Sequence, residues 1–164
     1  MNTKITLLFL LAGIVAFGQK IPKDKKQLIA SVENHKEDLI SISDKIWANA
    51  EIAFQETESS KLLADYAEAN GFTVERGVAN IPTAFIATYG EGKPVISVLG
   101  EFDALPGISQ KAQPTKEPLE AGAAGHGCGH NLFGTASLGA AIAVKEMIEA
   151  GEIKGTVKFI GTPA

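Results

Sequence analysis

The stretch AAGHGCGHNLFGTASLGAA, residues 123–141, holds two of the chain's three histidines and its only cysteine. His126, Cys128 and His130 occupy alternate positions, with a glycine between each pair. The residues that follow are small or apolar and carry no charge, so the stretch predicts a glycine-rich loop that enters a buried helix. In an extended loop Cys128 and His130 would point the same way, because the side chains of extended backbone alternate.

Strand patterns lie on both sides of this loop. The apolar, β-branched run at 94–100 predicts a central strand covered on both faces, and the sequence GEGK predicts a hairpin that joins it to a strand at 83–90. After the loop we expect a helix from about Leu132 to Ala150, with its first half buried, and then a strand at 156–161. The segments EFDALPG and GTPA leave the carboxyl ends of two strands. We therefore expect them to meet the histidine loop at one sheet edge, where α/β folds bind ligands.

Helical periodicity dominates the part of the chain that precedes these strands. Apolar residues recur at three- and four-residue spacings from Lys23 to about Ala50, and a second helix is expected from Glu56 to Asn70. A short strand at 72–78 follows. His35 lies among polar residues of the first helix and is expected at the surface. The alternation of helices and strands predicts a layered α/β domain.

The charge of the chain argues against a polyanionic partner. The net charge is −4 and the isoelectric point is about 5.4, with lysine and arginine scattered along the sequence. A nucleic-acid or anionic membrane surface would favour a basic patch, so neither is expected as a partner.

The first residues, MNTKITLLFLLAGIVAFGQK, have the pattern of a secretory signal. A lysine precedes an uncharged apolar run from Ile5 to Phe17, which is shorter than the ~20 residues that a membrane span needs. We expect residues 1–19 to be a cleaved signal peptide, the mature protein to be periplasmic or secreted, and no stable membrane insertion. A lone cysteine in an oxidising compartment is buried, paired with another molecule or held by a metal.

Thiolate and imidazole ligands together suit a divalent metal. Zinc is favoured, and manganese, cobalt or nickel are possible where carboxylates join. The alternative is that Cys128 is a small buried residue and His130 caps the helix, since a single C-x-H pair is a weaker signal than two spaced pairs. Asp103, just past a strand, would either orient a ligand imidazole or cap a turn. Glu101 has the same two interpretations.

Three segments resemble the metallo-amidohydrolase branch of the M20 peptidase family. They are GEFDALPGISQ (100–110), GHGCGHNLFGTASLGAAIAVKE (125–146) and GTVKFIGTPA (155–164). The resemblance implies a zinc-peptidase-like α/β catalytic domain, with a mixed sheet flanked by helices, that is interrupted by a smaller dimerisation domain. Residues 20–164 would be the N-terminal part of that catalytic domain, and the full-length protein would be a homodimer.

The resemblance also assigns roles to residues of the candidate site. It implies that Cys128 and His130 are metal ligands and that Asp103 is the family's strand-end acid. Glu101 stands where peptidase members carry a metal-binding histidine, and Asn131 stands where many relatives carry aspartate. Asn131 is therefore a candidate to line the site, and His126, which lies in the same glycine-rich loop, is a second candidate.

The implied reaction is the metal-dependent hydrolysis of an amide bond in a small molecule or short peptide. The family's paired glutamates, a general base and a metal ligand, directly follow G-T-P-A. The general base is therefore expected just after Ala164, and no catalytic residue is assigned within the 164 residues. We expect the 164-residue chain alone to be inactive and poorly soluble. The alternative is a non-catalytic metal-binding or interaction module with the same fold.

Overall fold

The structure, a computed structural model, describes residues 21–163. The predicted signal peptide lies outside the described residues, and so does Ala164, after which the general-base glutamate is expected. The structure therefore does not test either of these two predictions.

Four α-helices and four strands are defined within the described range. The helices are α1 (Lys23–Asn34), α2 (Lys36–Asn49), α3 (Thr57–Ala69) and α4 (His130–Glu149), and the strands are β1 (Thr73–Arg76), β2 (Phe85–Glu91), β3 (Val95–Glu101) and β4 (Gly155–Thr162). None of these helices is long and apolar enough to cross a membrane. The α/β class predicted from the sequence is confirmed.

The strands form one mixed sheet in the order β1-β2-β4-β3. The strand β4 pairs antiparallel with β2 and parallel with β3. The predicted hairpin between β2 and β3 is therefore wrong, because β4 lies between them. The parallel pair places the carboxyl ends of β3 and β4 at the same edge, where Glu101 is the partner of Thr162. The convergence predicted for these two strand ends is confirmed.

The hydrophobic core lies on one face of the sheet. Along β4 the residues alternate between buried and half-buried. Its buried Phe159 packs against Phe85 of β2, and both belong to the core cluster that includes Leu63 of α3 and Ile142 of α4. On β3, by contrast, Leu99 is 55% exposed. The prediction of a central strand covered on both faces is wrong for β3, which lies at the edge of the described sheet.

The predicted N-terminal helix is divided in two at His35, which ends α1 and precedes α2. Its ring links these helices to two others: Nδ1 lies 2.8 Å from the Tyr66 hydroxyl, and Nε2 lies 3.0 Å from Glu146 Oε1. The expected surface position is therefore wrong, because packing of four helices leaves the imidazole only 20% exposed.

Candidate metal site

The candidate site lies at the carboxyl edge shared by β3 and β4. Glu101 is the last residue of β3, Asp103 follows two residues later, and His130 begins α4. The histidine is far from the two acids in the sequence. It meets them because α4 packs against β3 with its first turn over the end of the strand.

His130 lies between the two carboxylates. Its Nδ1 is 2.5 Å from Asp103 Oδ1, and its Nε2 is 3.0 Å from Glu101 Oε2. Asp103 is buried, whereas Glu101 is 40% exposed, so the carboxylate on the Nδ1 side of the ring is shielded from solvent and the one on the Nε2 side is partly open to it. A buried carboxylate that accepts the Nδ1 proton fixes the ring orientation and leaves the lone pair of Nε2 free to bind a metal ion. This is the arrangement expected of a metal-binding histidine.

Two glycines allow α4 to approach β3 this closely. A Cβ atom on Gly134, one turn after His130, would lie 2.6 Å from the Glu101 carbonyl oxygen. A Cβ on Gly100 would lie 2.5 Å from the Phe159 ring and 3.2 Å from the Gly134 Cα. Neither glycine has room for a side chain, so both contribute to the placement of His130 at the strand end.

Cys128 is exposed and does not share a strand-like segment with His130. Gly129 between them has φ of 79°, a left-handed conformation, and His130 is already helical. The expectation that the two side chains point the same way because the backbone is extended is therefore wrong. Within residues 21–163, no three or more His, Cys, Asp or Glu side chains form a group that could hold a metal. The ligand roles of Cys128 and His130 remain predictions.

The other two predicted site-lining residues connect the site to α2. Burial lowers the pKa of His126. The hydrogen bond between its Nε2 and the Ile46 carbonyl oxygen, at 3.0 Å, acts in the opposite direction and is the smaller effect. The amide of Asn131 donates to the Ser43 hydroxyl at 3.2 Å. Both side chains therefore hold the loop and the start of α4 against α2. His126 also lines a cavity of about 150 Å³ together with Trp47, Ile108 and Leu119.

The loop before α3 supports the site and was not recognised from the sequence. The Glu51 carbonyl accepts a hydrogen bond from the Ala104 N–H at 2.7 Å, next to Asp103. The Glu51 carboxylate accepts the N–H groups of Glu58 and Ser59 at the start of α3, as a helix cap does. An acid seven or eight residues ahead of these N–H groups is the only sequence signal for this role.

Glu56 lies in the same loop and is completely buried. Its carboxylate accepts hydrogen bonds from the Phe54 N–H at 2.9 Å and the Thr83 hydroxyl at 3.0 Å. Burial raises the pKa of this carboxyl above its ordinary 4.5, and the charge of Asp103 adds to the effect, although the hydrogen bonds oppose it. The loop that supports Asp103 therefore contains a buried carboxyl group of its own, with a raised pKa.

Comparison with known proteins shows that the chain is similar to hydrolases. The chain is 51% identical over 136 residues to a subunit of p-aminobenzoyl-glutamate hydrolase from Escherichia coli, and the match covers 81% of this chain and 28% of that protein. It is 30% identical over 128 residues to N-acetylcysteine deacetylase of Bacillus subtilis, and this match covers 77% of this chain and 32% of that protein. No family profile matches the chain.

The fold gives the same result. A solved Bacillus subtilis structure described as a dinuclear metal-binding peptidase of the M20 family matches with a TM-score of 0.67 and 30% identity, over 80% of this chain and 36% of that one. The fold and the relatives define a class of enzymes that hydrolyse amide bonds. Over the part that it covers, the chain is similar to members of the M20 family of amidohydrolases and peptidases. It spans only 28–32% of the length of these two curated relatives.

Proposed function

We propose that this chain is the metal-binding part of a hydrolase that cleaves amide bonds in small molecules. The observation that carries the proposal is the 51% identity to the p-aminobenzoyl-glutamate hydrolase subunit over most of the chain. An aminobenzoyl-glutamate-like compound is therefore the first substrate to test, followed by acyl-amino acids and dipeptides. The relatives span amidohydrolases and a carboxypeptidase, which supports an amide bond as the scissile group.

Imidazole, carboxylate and thiol groups at this edge suit a divalent ion, with zinc or manganese favoured and cobalt or nickel possible. When bound, such an ion supplies Lewis-acid chemistry that polarises an amide carbonyl and activates water. His130 would hold it through Nε2, while Asp103 orients the ring at 2.5 Å from Nδ1. Cys128, in the exposed loop, is the second proposed ligand. The general base would be a glutamate directly after Ala164 in the full reading frame, as the family resemblance implies.

The test is hydrolysis of p-aminobenzoyl-glutamate by protein expressed from its full reading frame, after chelation and after zinc or manganese is restored. We expect activity to require the metal and His130→Ala to lower kcat/KM by on the order of 100-fold. His35→Ala is the matched control, because His35 contacts Tyr66 and Glu146 away from the site. Protein that binds metal but cleaves none of the three substrate classes would favour the non-catalytic module instead.

We further propose that the protein is exported and that the complete enzyme is a homodimer. The apolar run from Ile5 to Phe17 supports export, and the family resemblance supports the dimer. Mass spectrometry of protein from the native host should find an N-terminus near Gln19 or Lys20. An intact Met1 would count against a cleaved signal, and a monomer in light scattering would count against the dimer.

A further inference from the structure

The cavity that His126 lines has no part in metal binding and no role in the site described above. Its volume is about 150 Å³. Trp47 and Ala48 at the end of α2 form one wall, and Ile108 and Leu119 of the long loop form another. A protein cavity of about this volume is large enough to hold a benzene ring. The size and the apolar walls therefore suit one ring.

The wall that the long loop contributes is fixed by backbone hydrogen bonds. The Leu105 N–H donates to the Gly125 carbonyl at 3.0 Å, and the Ser109 N–H donates to the Ala123 carbonyl at 2.9 Å. These bonds join the two arms of the loop on either side of its tip. A long loop of this kind, ordered but without a helix or strand of its own, is usually a functional element such as a binding loop.

Two glycines bring this wall against the histidine loop. A Cβ atom on Gly127 would overlap the Ile108 Cδ1 atom, and one on Gly125 would lie 2.6 Å from the Ile108 carbonyl oxygen. Gly127 lines the cavity, and the next residue is Cys128, a proposed metal ligand. Consecutive Cα atoms are only ~3.8 Å apart. The cavity therefore borders the place where the proposed function puts the scissile carbonyl group.

The chemistry of the lining favours an uncharged occupant. Among the described residues, those that line the cavity include no Asp, Glu, Lys or Arg. Its polar side chains already have partners: His126 Nε2 bonds the Ile46 carbonyl, Ser109 Oγ accepts the Glu120 N–H, and the Gln110 amide donates to carbonyl groups of its own loop. An ionised group would lose its hydration there without gaining a partner.

We propose that this cavity binds the acyl side of the substrate, as an uncharged aromatic ring bonded directly to the scissile carbonyl. The inference rests on the proposed function, since it needs an amide substrate at the neighbouring metal site. It also narrows that function, because aroyl-amino acids would be preferred over acetyl-amino acids, whose methyl group leaves the cavity unfilled.

The experiment is a ¹⁹F NMR titration with 4-fluorobenzoyl-glutamate. The protein is expressed from its full reading frame and stripped of metal, so that the probe is not hydrolysed. Ala48 is exposed and lines the cavity, so Ala48→Phe should fill the cavity without disturbing the core. We expect it to weaken binding by about 10-fold or more, the effect of burying a ring-sized apolar group. Ala30→Phe, at an exposed position of α1, is the matched control and should bind as the parent does.

A second variant tests the opposite wall of the cavity and keeps the test decisive if Ala48→Phe does not fold. Leu119 is 64% exposed, so Leu119→Ala removes part of the wall and leaves the core intact. We expect it to weaken binding of the aromatic probe several-fold. Trifluoroacetyl-glutamate, which has no ring, is the control probe and should not distinguish these variants from the parent.

Parent-like binding of the aromatic probe by both Ala48→Phe and Leu119→Ala would overturn the inference, and so would no binding by the parent. Equal losses for the two probes would also overturn it, because the effect would not depend on the ring. Hydrolysis by the metal-loaded parent is measured separately. If the parent cleaves an amide substrate, the proposed function stands in each of these cases; if it cleaves none, the proposed function fails and the inference falls with it.

Discussion

His130 contacts two carboxylates through one ring, and the rest of the site depends on how that ring is held. The Asp103 carboxylate holds the ring through its contact with Nδ1. The next residue, Ala104, donates its backbone N–H to the Glu51 carbonyl. The loop that runs from Glu51 to Glu56 thus supports the acid that orients the imidazole. Because Glu56 in this loop is buried and can gain a proton, the stability of the support depends on pH.

Replacement of Glu56 by glutamine tests that dependence. The pKa of Glu56 is raised above 4.5 in the folded protein, so between 4.5 and the raised value the native state binds more protons than the unfolded state. The contribution of Glu56 is therefore greatest below pH 4.5, and the free energy of unfolding falls as the pH rises through this window. Glutamine has no proton to lose, so Glu56→Gln should remove this fall in denaturant titrations at a series of pH values.

Glu120→Gln serves as the control for the pH series, since Glu120 is exposed. It should leave the pH profile unchanged. An identical profile for Glu56→Gln and the parent would mean that Glu56 titrates alike in the folded and unfolded states.

At the level of secondary-structure elements, the ends of the helices and strands were more predictable than the order in which the strands pair in the sheet. The helix at 57–69 and the strands at 85–91 and 155–162 lie where their patterns predict them, because period and flanking glycines are local signals. The insertion of β4 between β2 and β3 was not predictable, since two apolar runs joined by a turn suit a hairpin equally well. An apolar run indicates a strand fit for burial, and it does not tell which strand lies beside it.

The candidate site shows the same limit. The histidine loop and EFDALPG were predicted to meet because both belong to the carboxyl edge of the sheet, and they do. The distinct contacts of Asp103 and Glu101 with opposite nitrogens of His130 depend on side-chain rotamers and helix placement, which spacing does not encode. Neither the supporting role of Glu51 nor the turn at Gly129 has a local signal strong enough to predict it.

The close approach of α4 to β3 gives a prediction at this scale. In Gly134→Ala the new methyl group would lie 2.6 Å from the Glu101 carbonyl oxygen. This oxygen belongs to the backbone of a paired strand, so relieving the overlap requires movement of the strand or of α4. We expect a loss of about 1–3 kcal/mol in the free energy of unfolding and weaker metal binding, because α4 must move away from the strand end. Chemical denaturation and Mn²⁺ titration measure the two effects.

Gly139→Ala in the same helix is the matched control. Its methyl group would meet only the end of the Leu39 side chain, at 2.8 Å, which can rotate away. Both substitutions gain about 1 kcal/mol of helix propensity, so a difference between them isolates the contact with β3. Equal stability and metal affinity for the two variants would contradict the account of α4 placement.

In the whole molecule, the described helices leave one face of the sheet and the edge of β3 uncovered. Val95, Ile96 and Leu99 are each more than half exposed. An apolar edge strand of this kind pairs readily with other chains. The chain of residues 20–164, expressed alone, should therefore self-associate through β3.

Val95→Lys should reduce this association, because a charged residue on an edge strand opposes pairing. Val95 lies at the opposite end of β3 from Glu101, so the site is left intact. Light scattering over a concentration series measures the effect, with Ile40→Lys on exposed α2 surface as the control. If Ile40→Lys reduces association and Val95→Lys does not, the helical surface and not the edge strand is responsible.

The central claim is a metal centre at the carboxyl edge of β3 and β4. It is tested most directly by the metal content of the purified protein, measured by inductively coupled plasma mass spectrometry. Protein from the full reading frame should retain about one to two divalent ions per chain, as expected for the proposed metal-dependent hydrolase. His130→Ala and Cys128→Ala should each lose most of the metal, while His35→Ala retains it. Unchanged metal content in both His130→Ala and Cys128→Ala would contradict the assignment of a metal centre at the carboxyl edge of β3 and β4.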